Sequence, residues 1–231
     1  RNMKIKLLYT LFLTLLFSIS LYAVPPGGFG TLMVQAKDID KYVDYLKENI
    51  DFSETESLRS GYCKTRTGQN YSGQMFVWNA FESMEKALNQ IETYDPSSAD
   101  FDLAQLRKIK YNAIFKSLKD FEPRDGYHRL WRMKLNNSEA FTDQMTILQK
   151  QLQDAGHDMI VGVFDQLGGG YAETGMFHVR TITATAAETG KVVDDYYEGA
   201  SWRKTWDDAQ QYVDEIVDDT VEYCETIYLK E

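Results

Sequence analysis

The same order of elements can be read twice along this sequence, and that constrains the fold more than any other feature. Each reading opens with a strand-like stretch, residues 31–37 or 128–135, that runs into a capping residue, Asp38 or Asn137/Ser138, and then a helix. Ile39, Tyr42, Leu46 and Ile50 share one face of the first helix; Phe141, Met145, Leu148 and Leu152 share one face of the second. A second strand comes next, at 62–66 or 160–164. A glycine-rich turn follows, 67–73 or 168–170, with an aromatic residue at Tyr71 and Tyr171. The third strand opens with Met75-Phe76 in one half and Met176-Phe177 in the other. Helical stretches are then expected over 83–94 and 100–110, and over 187–197 and 201–217. In the last of these Trp202, Trp206, Ala209, Val213 and Ile216 keep helical spacing. A final strand, 113–118 or 221–229, closes each half, and Pro123-Arg124-Asp125-Gly126 forms the seam.

Strand-helix-strand-strand-helix-strand is the ferredoxin-like split unit. The expected class is therefore α+β, with two tandem ferredoxin-like repeats at 29–123 and 126–231. One such sheet carries helices on one face and is bare on the other. Two sheets can bury their bare faces together as an α/β barrel with the helices outside.

This duplicated order resembles the dimeric α/β-barrel superfamily. That group includes antibiotic-biosynthesis-monooxygenase-like, EthD-like and NIPSNAP-like proteins and, as tandem forms, chlorite dismutases. The resemblance covers essentially all of 29–231 and rests on element order rather than on a catalytic signature, so it speaks to fold more than to function. In that fold the second strand of one unit lies beside the fourth strand of the other. The resemblance thus implies a disulfide between Cys63 and Cys224; two unpaired, buried thiols are the alternative.

Period-two alternation assigns the strand faces. Leu32, Val34 and Ala36, like Trp131, Met133 and Leu135, make an apolar face expected to lie under the helices. Aligning the third strands sets Phe76, Trp78 and Ala80 against Phe177, Val179 and Thr181, and Met75, Val77 and Asn79 against Met176, His178 and Arg180. On this reading Arg132, His178, Arg180, Asn79, Gln35 and Tyr62 look into the barrel. Two guanidiniums and an imidazole in an enclosed space suit an anionic or carbonyl-bearing ligand, and His178 is placed to act as acid or base. The alternative is that the arginines pair with the chain's own carboxylates. His128 and His157 read as surface residues near element ends. Gly168-Gly169-Gly170 reads as a hairpin turn, and Asp194-Asp195, Asp207-Asp208 and Asp218-Asp219 as solvated helix surface.

Ahead of the repeat, Arg1, Lys4 and Lys6 precede an apolar run at 7–22, then Ala23 and Val24-Pro25-Pro26-Gly27-Gly28. This is the layout of a secretory signal peptide, 1–23, cut after Ala23 or near Ser18-Ile19-Ser20. A membrane anchor is the alternative, but the run is short for a span and a turn stands where stop-transfer charges belong. Removing the three leader cations takes the net charge from −10 to −13. So acidic a chain excludes a nucleic-acid footprint and suits an anionic membrane surface poorly. The expected location is periplasmic or secreted, with no stable membrane association after cleavage, as a monomer or homodimer.

No nucleophile elbow, metal-binding helix or dinucleotide fingerprint occurs, so no metal and no cofactor is called for. The first functional reading is a protein that holds a small anionic or aromatic molecule inside the barrel. The second is a cofactor-independent monooxygenase or isomerase using His178. The third, a haem protein, has His178 as its sole inward ligand, whereas the resemblance implies a haem histidine on a helix.

Overall fold

The computed structural model describes residues 27–230, so the leader expected at 1–23 lies outside the described residues. Eight strands run through them: β1 Gly28–Ala36, β2 Arg59–Thr67, β3 Gln74–Phe81, β4 Arg107–Ser117, β5 Gly126–Leu135, β6 Ile160–Leu167, β7 Phe177–Thr183 and β8 Val213–Leu229. Every neighbouring pair is antiparallel, and the ring closes in the order β1-β3-β2-β8-β5-β7-β6-β4. Within the ring the first four strands stand as β4-β1-β3-β2 and the last four as β8-β5-β7-β6, the same order twice. The two sets join at β2–β8 and β4–β6. A closed ring has no unpaired edge, which removes a template for aggregation.

Among the described residues seven α-helices accompany the barrel: α1 Ile39–Asn49, α2 Met84–Thr93, α3 Phe101–Leu106, α4 Ser138–Asp154, α5 Gly170–Glu173, α6 Ala186–Tyr197 and α7 Arg203–Ala209. The caps fall where side-chain chemistry puts them. Asp38, Ser83, Asp100 and Asn137 each accept a backbone N–H of the first turn, and Thr185 with Glu188 forms a reciprocal capping box. No helix among the described residues is long and apolar enough to cross a membrane.

Helices and sheet bury two apolar layers on the outer face of the ring. One gathers Leu32, Val34, Met75 and Val77 under Tyr42, Val43 and Leu46 of α1. The other gathers Trp131, Met133, Val161, Val163 and Val179 under Phe141, Met145, Leu148 and Leu152 of α4, with Trp202. Two smaller clusters fill the lumen: Phe76, Trp78 and Ala80 with the two cysteines, and Phe115 with Phe164.

Two expected helices are shorter than their periodicity suggests. The stretch 100–110 stops at Leu106, because from Arg107 onward the backbone pairs with β1 and Arg107 is buried against the Tyr42 and Tyr94 hydroxyls. The stretch 201–217 stops near Tyr212, and Val213 enters β8 opposite Leu135. Val213 still packs on the Trp131 layer, but Ile216 is half exposed rather than continuing the helical stripe. The Asp194-Asp195 and Asp207-Asp208 pairs sit on α6 and α7 as read. Asp218-Asp219 instead lies on β8, where Asp219 meets Arg129 at 2.6 Å.

Cys63 and Cys224 lie directly opposite each other on β2 and β8, and they are bonded, with Cα atoms 4.0 Å apart. The bond ties the two halves of the ring across 161 positions of sequence. Replacing both by serine is expected to lower stability by about 2–5 kcal/mol, because a crosslink over so long a loop restricts the unfolded chain. Urea denaturation of both forms without reductant measures this; equal midpoints would contradict it.

Candidate functional site

The lumen divides into two chambers. The inner one, of about 70 Å³, is lined by Phe29, Phe76, Trp78, Phe115 and Phe164 and by the polar Tyr111, His128, Glu173, His178 and Arg180. The outer one, of about 410 Å³, includes Arg59, Ser117 and Lys119 in its wall. Phe29, Phe121 and Pro123 line both, so these three side chains form the partition. Phe121 fits there because Gly162 of β6 has no side chain: a Cβ at 162 would stand 2.5 Å from the Phe121 ring.

In the wall of the inner chamber stands a carboxylate that sequence reasoning missed. Glu173 is 1% exposed. Its Oε1 accepts from the Tyr111 hydroxyl at 2.6 Å; its Oε2 accepts from His178 Nε2 at 2.9 Å and from Arg132 Nε at 3.2 Å. Burial by itself would raise this carboxyl. The His178 hydrogen bond, Arg132 and Tyr111 outweigh burial and hold it below the ordinary range. The same neighbourhood pushes the Tyr111 hydroxyl up, first by burial and then by the Glu173 charge. Because a carboxylate only accepts, His178 Nε2 must carry the hydrogen. In a neutral ring that leaves Nδ1 as a lone pair, and Nδ1 has no hydrogen-bond partner among the described residues. The ring packs 4.3 Å from Phe115, centroid to centroid.

The expected hairpin at Gly168-Gly169-Gly170 turns out to start a helix, and this is how Glu173 reaches the lumen. All three glycines have positive φ, at 80°, 85° and 59°, so the chain turns sharply into α5. At Gly169 a Cβ would also meet Glu173 Cβ at 2.7 Å and Ala113 Cβ at 2.9 Å. Arg132 further anchors α5 by donating to the Ala172 carbonyl.

A second buried pair stands beside the disulfide. Arg180 Nη1 donates to Glu222 Oε2 at 2.6 Å and to His128 Nδ1 at 3.1 Å. Since arginine only donates, His128 Nδ1 is the acceptor, and its Nε2–H donates to the Arg124 carbonyl at 2.9 Å. His128 is therefore not a surface residue: it is 4% exposed, and burial, then the Arg180 charge, lowers its pKa to about 3. His157 is buried too, against Asp195 at 2.9 Å.

Of the six residues expected to face inward, the structure brings Arg132, His178 and Arg180 together in the lumen. Asn79 and Tyr62 face outward: Asn79 Oδ1 accepts from Ser60 Oγ at 2.6 Å, and Tyr62 lies under α1 with its hydroxyl on Glu225 at 2.8 Å. For Asn79 the cause is the repeat alignment of the third strands, which is one residue out. Met33 pairs with Phe76 as Arg132 pairs with His178, so Phe76 and Trp78 hold the inward positions of that half. Gln35 keeps the inward phase but sits at a strand end, donating to the Ser72 carbonyl at 3.0 Å.

Each lumen guanidinium already has its carboxylate, Arg180 with Glu222 and Arg132 with Glu173, and Arg132 also lies 3.6 Å from Asp218. Neither of these two guanidiniums is left over for an anion in the inner chamber. The haem reading does not fit these residues. His178 Nε2 is taken by Glu173 at 2.9 Å, and the inner chamber, of about 70 Å³, is far below the roughly 300–1,000 Å³ of a cofactor-sized pocket.

Solved structures share this architecture. An anthrone oxidase-like protein superposes with a TM-score of 0.59 at 12% identity, over 88% of this chain and 95% of its own. A proposed monooxygenase from Lactobacillus acidophilus gives 0.56 at 10% identity, over 88% and 95%. Chlorite dismutase from Candidatus Nitrospira defluvii gives 0.52 at 8% identity, over 87% and 92%. At such identities the likeness is one of fold: the chain has the closed α/β barrel of monooxygenase-like and chlorite-dismutase-like proteins. No protein-family model matches the sequence, and no curated protein does.

Two outcomes are expected from this geometry. Gly169→Ala should cost at least about 1–2 kcal/mol for the left-handed backbone alone, read from urea midpoints; an unchanged midpoint would mean that α5 is held some other way. For His128, the unfolded ring takes up a proton near 6.5, which the fold refuses until about 3. Its contribution is whole above pH 6.5 and drains away as pH falls, at up to about 1.4 kcal/mol per unit. Glu173, whose ordinary value is 4.5 and whose folded value is lower, acts in the same sense only at more acid pH. His128→Gln should therefore flatten the stability curve between pH 6.5 and 4.5. A parallel curve would show that His128 does not titrate on unfolding.

Proposed function

We propose that the barrel interior binds a small, neutral aromatic molecule, and that His178, oriented by Glu173, exchanges a proton with it. The observation that carries this reading is the inner chamber itself: aromatic walls, compensated charges, and one imidazole whose Nδ1 is unpartnered while Nε2 is fixed. An apolar cavity with few convergent polar groups is the usual form of a small-molecule site.

Size sets how the ligand sits. A cavity of about 150 Å³ holds benzene, twice the inner chamber, so a ring enters only if the Phe121 partition swings aside. The remainder of the molecule then occupies the outer chamber. Tyr111 and Arg132 hold Glu173, Glu173 holds the Nε2–H, and the Nδ1 lone pair takes the ligand's most acidic proton. Proton abstraction is the step common to an isomerase and to a cofactor-independent monooxygenase, and the monooxygenase-like names among the structural neighbours favour that direction. We further read the matching strand orders as a tandem duplication of ferredoxin-like units, 29–123 and 126–231. The disulfide supports an oxidising compartment, periplasmic or extracellular, for a chain that acts as a monomer or homodimer.

Phenylacetone, a single ring beside an acidic methylene, is a suitable probe. Deuterium uptake at that carbon, followed by nuclear magnetic resonance, should be accelerated by the protein and fall about 10²–10⁴-fold in His178→Gln, the usual worth of a general base. Calorimetry should show phenol binding in preference to benzoate. Unchanged exchange in the variant removes the proton-transfer role and leaves binding alone; tighter binding of benzoate overturns the neutral lumen.

A further inference from the structure

We propose that, once the Cys63–Cys224 bond is reduced, Cys63, Cys224 and His128 form a buried site for a thiophilic divalent cation such as zinc, with its fourth position open to the inner chamber. One ligand atom from each of the three residues lies within 4.8 Å of the others, and all three residues are buried. They come from three adjacent strands: Cys63 on β2 faces Cys224 on β8, and His128 on β5 pairs with Glu222, two residues along β8. Rigid strands thus hold the set together independently of the sulfur–sulfur bond.

The niche already accommodates a cationic nitrogen. Arg180 Nη1 lies 3.1 Å from His128 Nδ1 and 3.9 Å from Cys224 Sγ, so the Nδ1 lone pair is aimed at the space beside the sulfur. If a metal ion takes that lone pair, Arg180 keeps its 2.6 Å bond to Glu222 and can still donate to the Cys224 sulfur as an outer support. Charge then selects the ion. Two thiolates and one divalent cation sum to zero, and Arg180 with Glu222 sums to zero. A monovalent ion would leave a buried charge uncompensated, which is costly. Two sulfurs and one imidazole are soft donors that suit zinc or cobalt over magnesium or calcium. Cys63 and His128 both line the inner chamber, so three protein ligands leave a coordination position facing it.

The chemistry balances in two steps. A two-electron reductant, a dithiol or a phosphine, breaks the Sγ–Sγ bond; with a phosphine, phosphorus is oxidised to the phosphine oxide with oxygen from water, and each cysteine ends as a thiol. The cation then displaces both thiol protons to solvent and accepts the imidazole lone pair. The disulfide and the metal are mutually exclusive occupants of the same sulfurs.

The test is anaerobic cobalt(II) titration of the full chain, reduced with phosphine in urea and refolded, with circular dichroism recorded alongside. One cobalt per chain should bind with thiolate-to-cobalt charge-transfer bands and tetrahedral d–d bands. One equivalent of zinc should abolish both. The oxidised chain and the double variant Cys63→Ser/Cys224→Ser should show neither band. Reduced His128→Ala should bind at least about tenfold more weakly, in line with the cost of disturbing a metal site. A reduced, β-folded chain with no charge-transfer band overturns the proposal. So does His128→Ala binding as tightly as the parent, or a reduced chain that stays unfolded with cobalt present.

Discussion

Closing eight strands into a ring fixes the phase of each, and the β2–β8 seam is where that phase is most tightly set. Cys63 and Cys224 can bond only if both point to the same face of the sheet, and here that face is the lumen. A slip of one residue on either strand would turn one sulfur outward and exchange the whole inner and outer face of that strand. From this register the rest follows by alternation. Gly61, Cys63 and Thr65 face in, and so do Glu222 and Cys224. Tyr62, Tyr223 and Glu225 face out toward α1 and solvent. The outer apolar layers and the inner polar groups are two consequences of one register.

Putting polar groups inside a narrow barrel carries a cost that only complete hydrogen bonding offsets. The lumen meets this with two carboxylates, each the hub of its own set. Glu173 gathers a phenol, an imidazole and a guanidinium; Glu222 takes the Arg180 guanidinium, which in turn fixes the His128 tautomer. The two histidines are thereby differentiated. Both nitrogens of His128 are engaged and the ring is kept neutral, whereas only one nitrogen of His178 is engaged. In the proposed reading the proton exchange falls to the second for that reason, and the first is suited to being a neutral ligand.

Most of the fold was legible because it is written in short-range patterns. Capping residues at Asp38 and Asn137, period-two runs in the first strands, and helical stripes such as Phe141-Met145-Leu148-Leu152 each act over one element. Where the reading failed, tertiary pairing overrode local spacing. Trp202 to Ile216 keeps a helical period, yet β5 supplies a partner strand from Val213 onward and the backbone takes it. The site was harder, since inward-facing residues depend on register between strands. Asn79 was misplaced by a one-residue error in aligning β3 with β7. The cysteines held the correction, because phasing β2 on Cys63 excludes Tyr62 from the lumen, and phasing β8 on Cys224 brings Glu222 in. Glu173 had no such signal. It lies in a four-residue helix too short to show a period, and only the three glycines before it marked the place.

Those glycines connect local strain to the site's chemistry. A hairpin at 168–170 would have carried β6 directly into β7 and left the barrel end open beside Tyr111 and His178. The left-handed turn instead spends three residues on reversing the chain and then sends Glu173 back inside, while Tyr171 on the same helix is fully exposed. The carboxylate that orients His178 is therefore held by α5, fastened through the Glu173 and Ala172 contacts to Arg132 rather than by a layer of apolar packing. Whatever disturbs α5 acts directly on the imidazole, while the strands on either side keep their pairings. Orientation of the His178 imidazole thus rests on a short helix inserted between two strands rather than on the strands themselves.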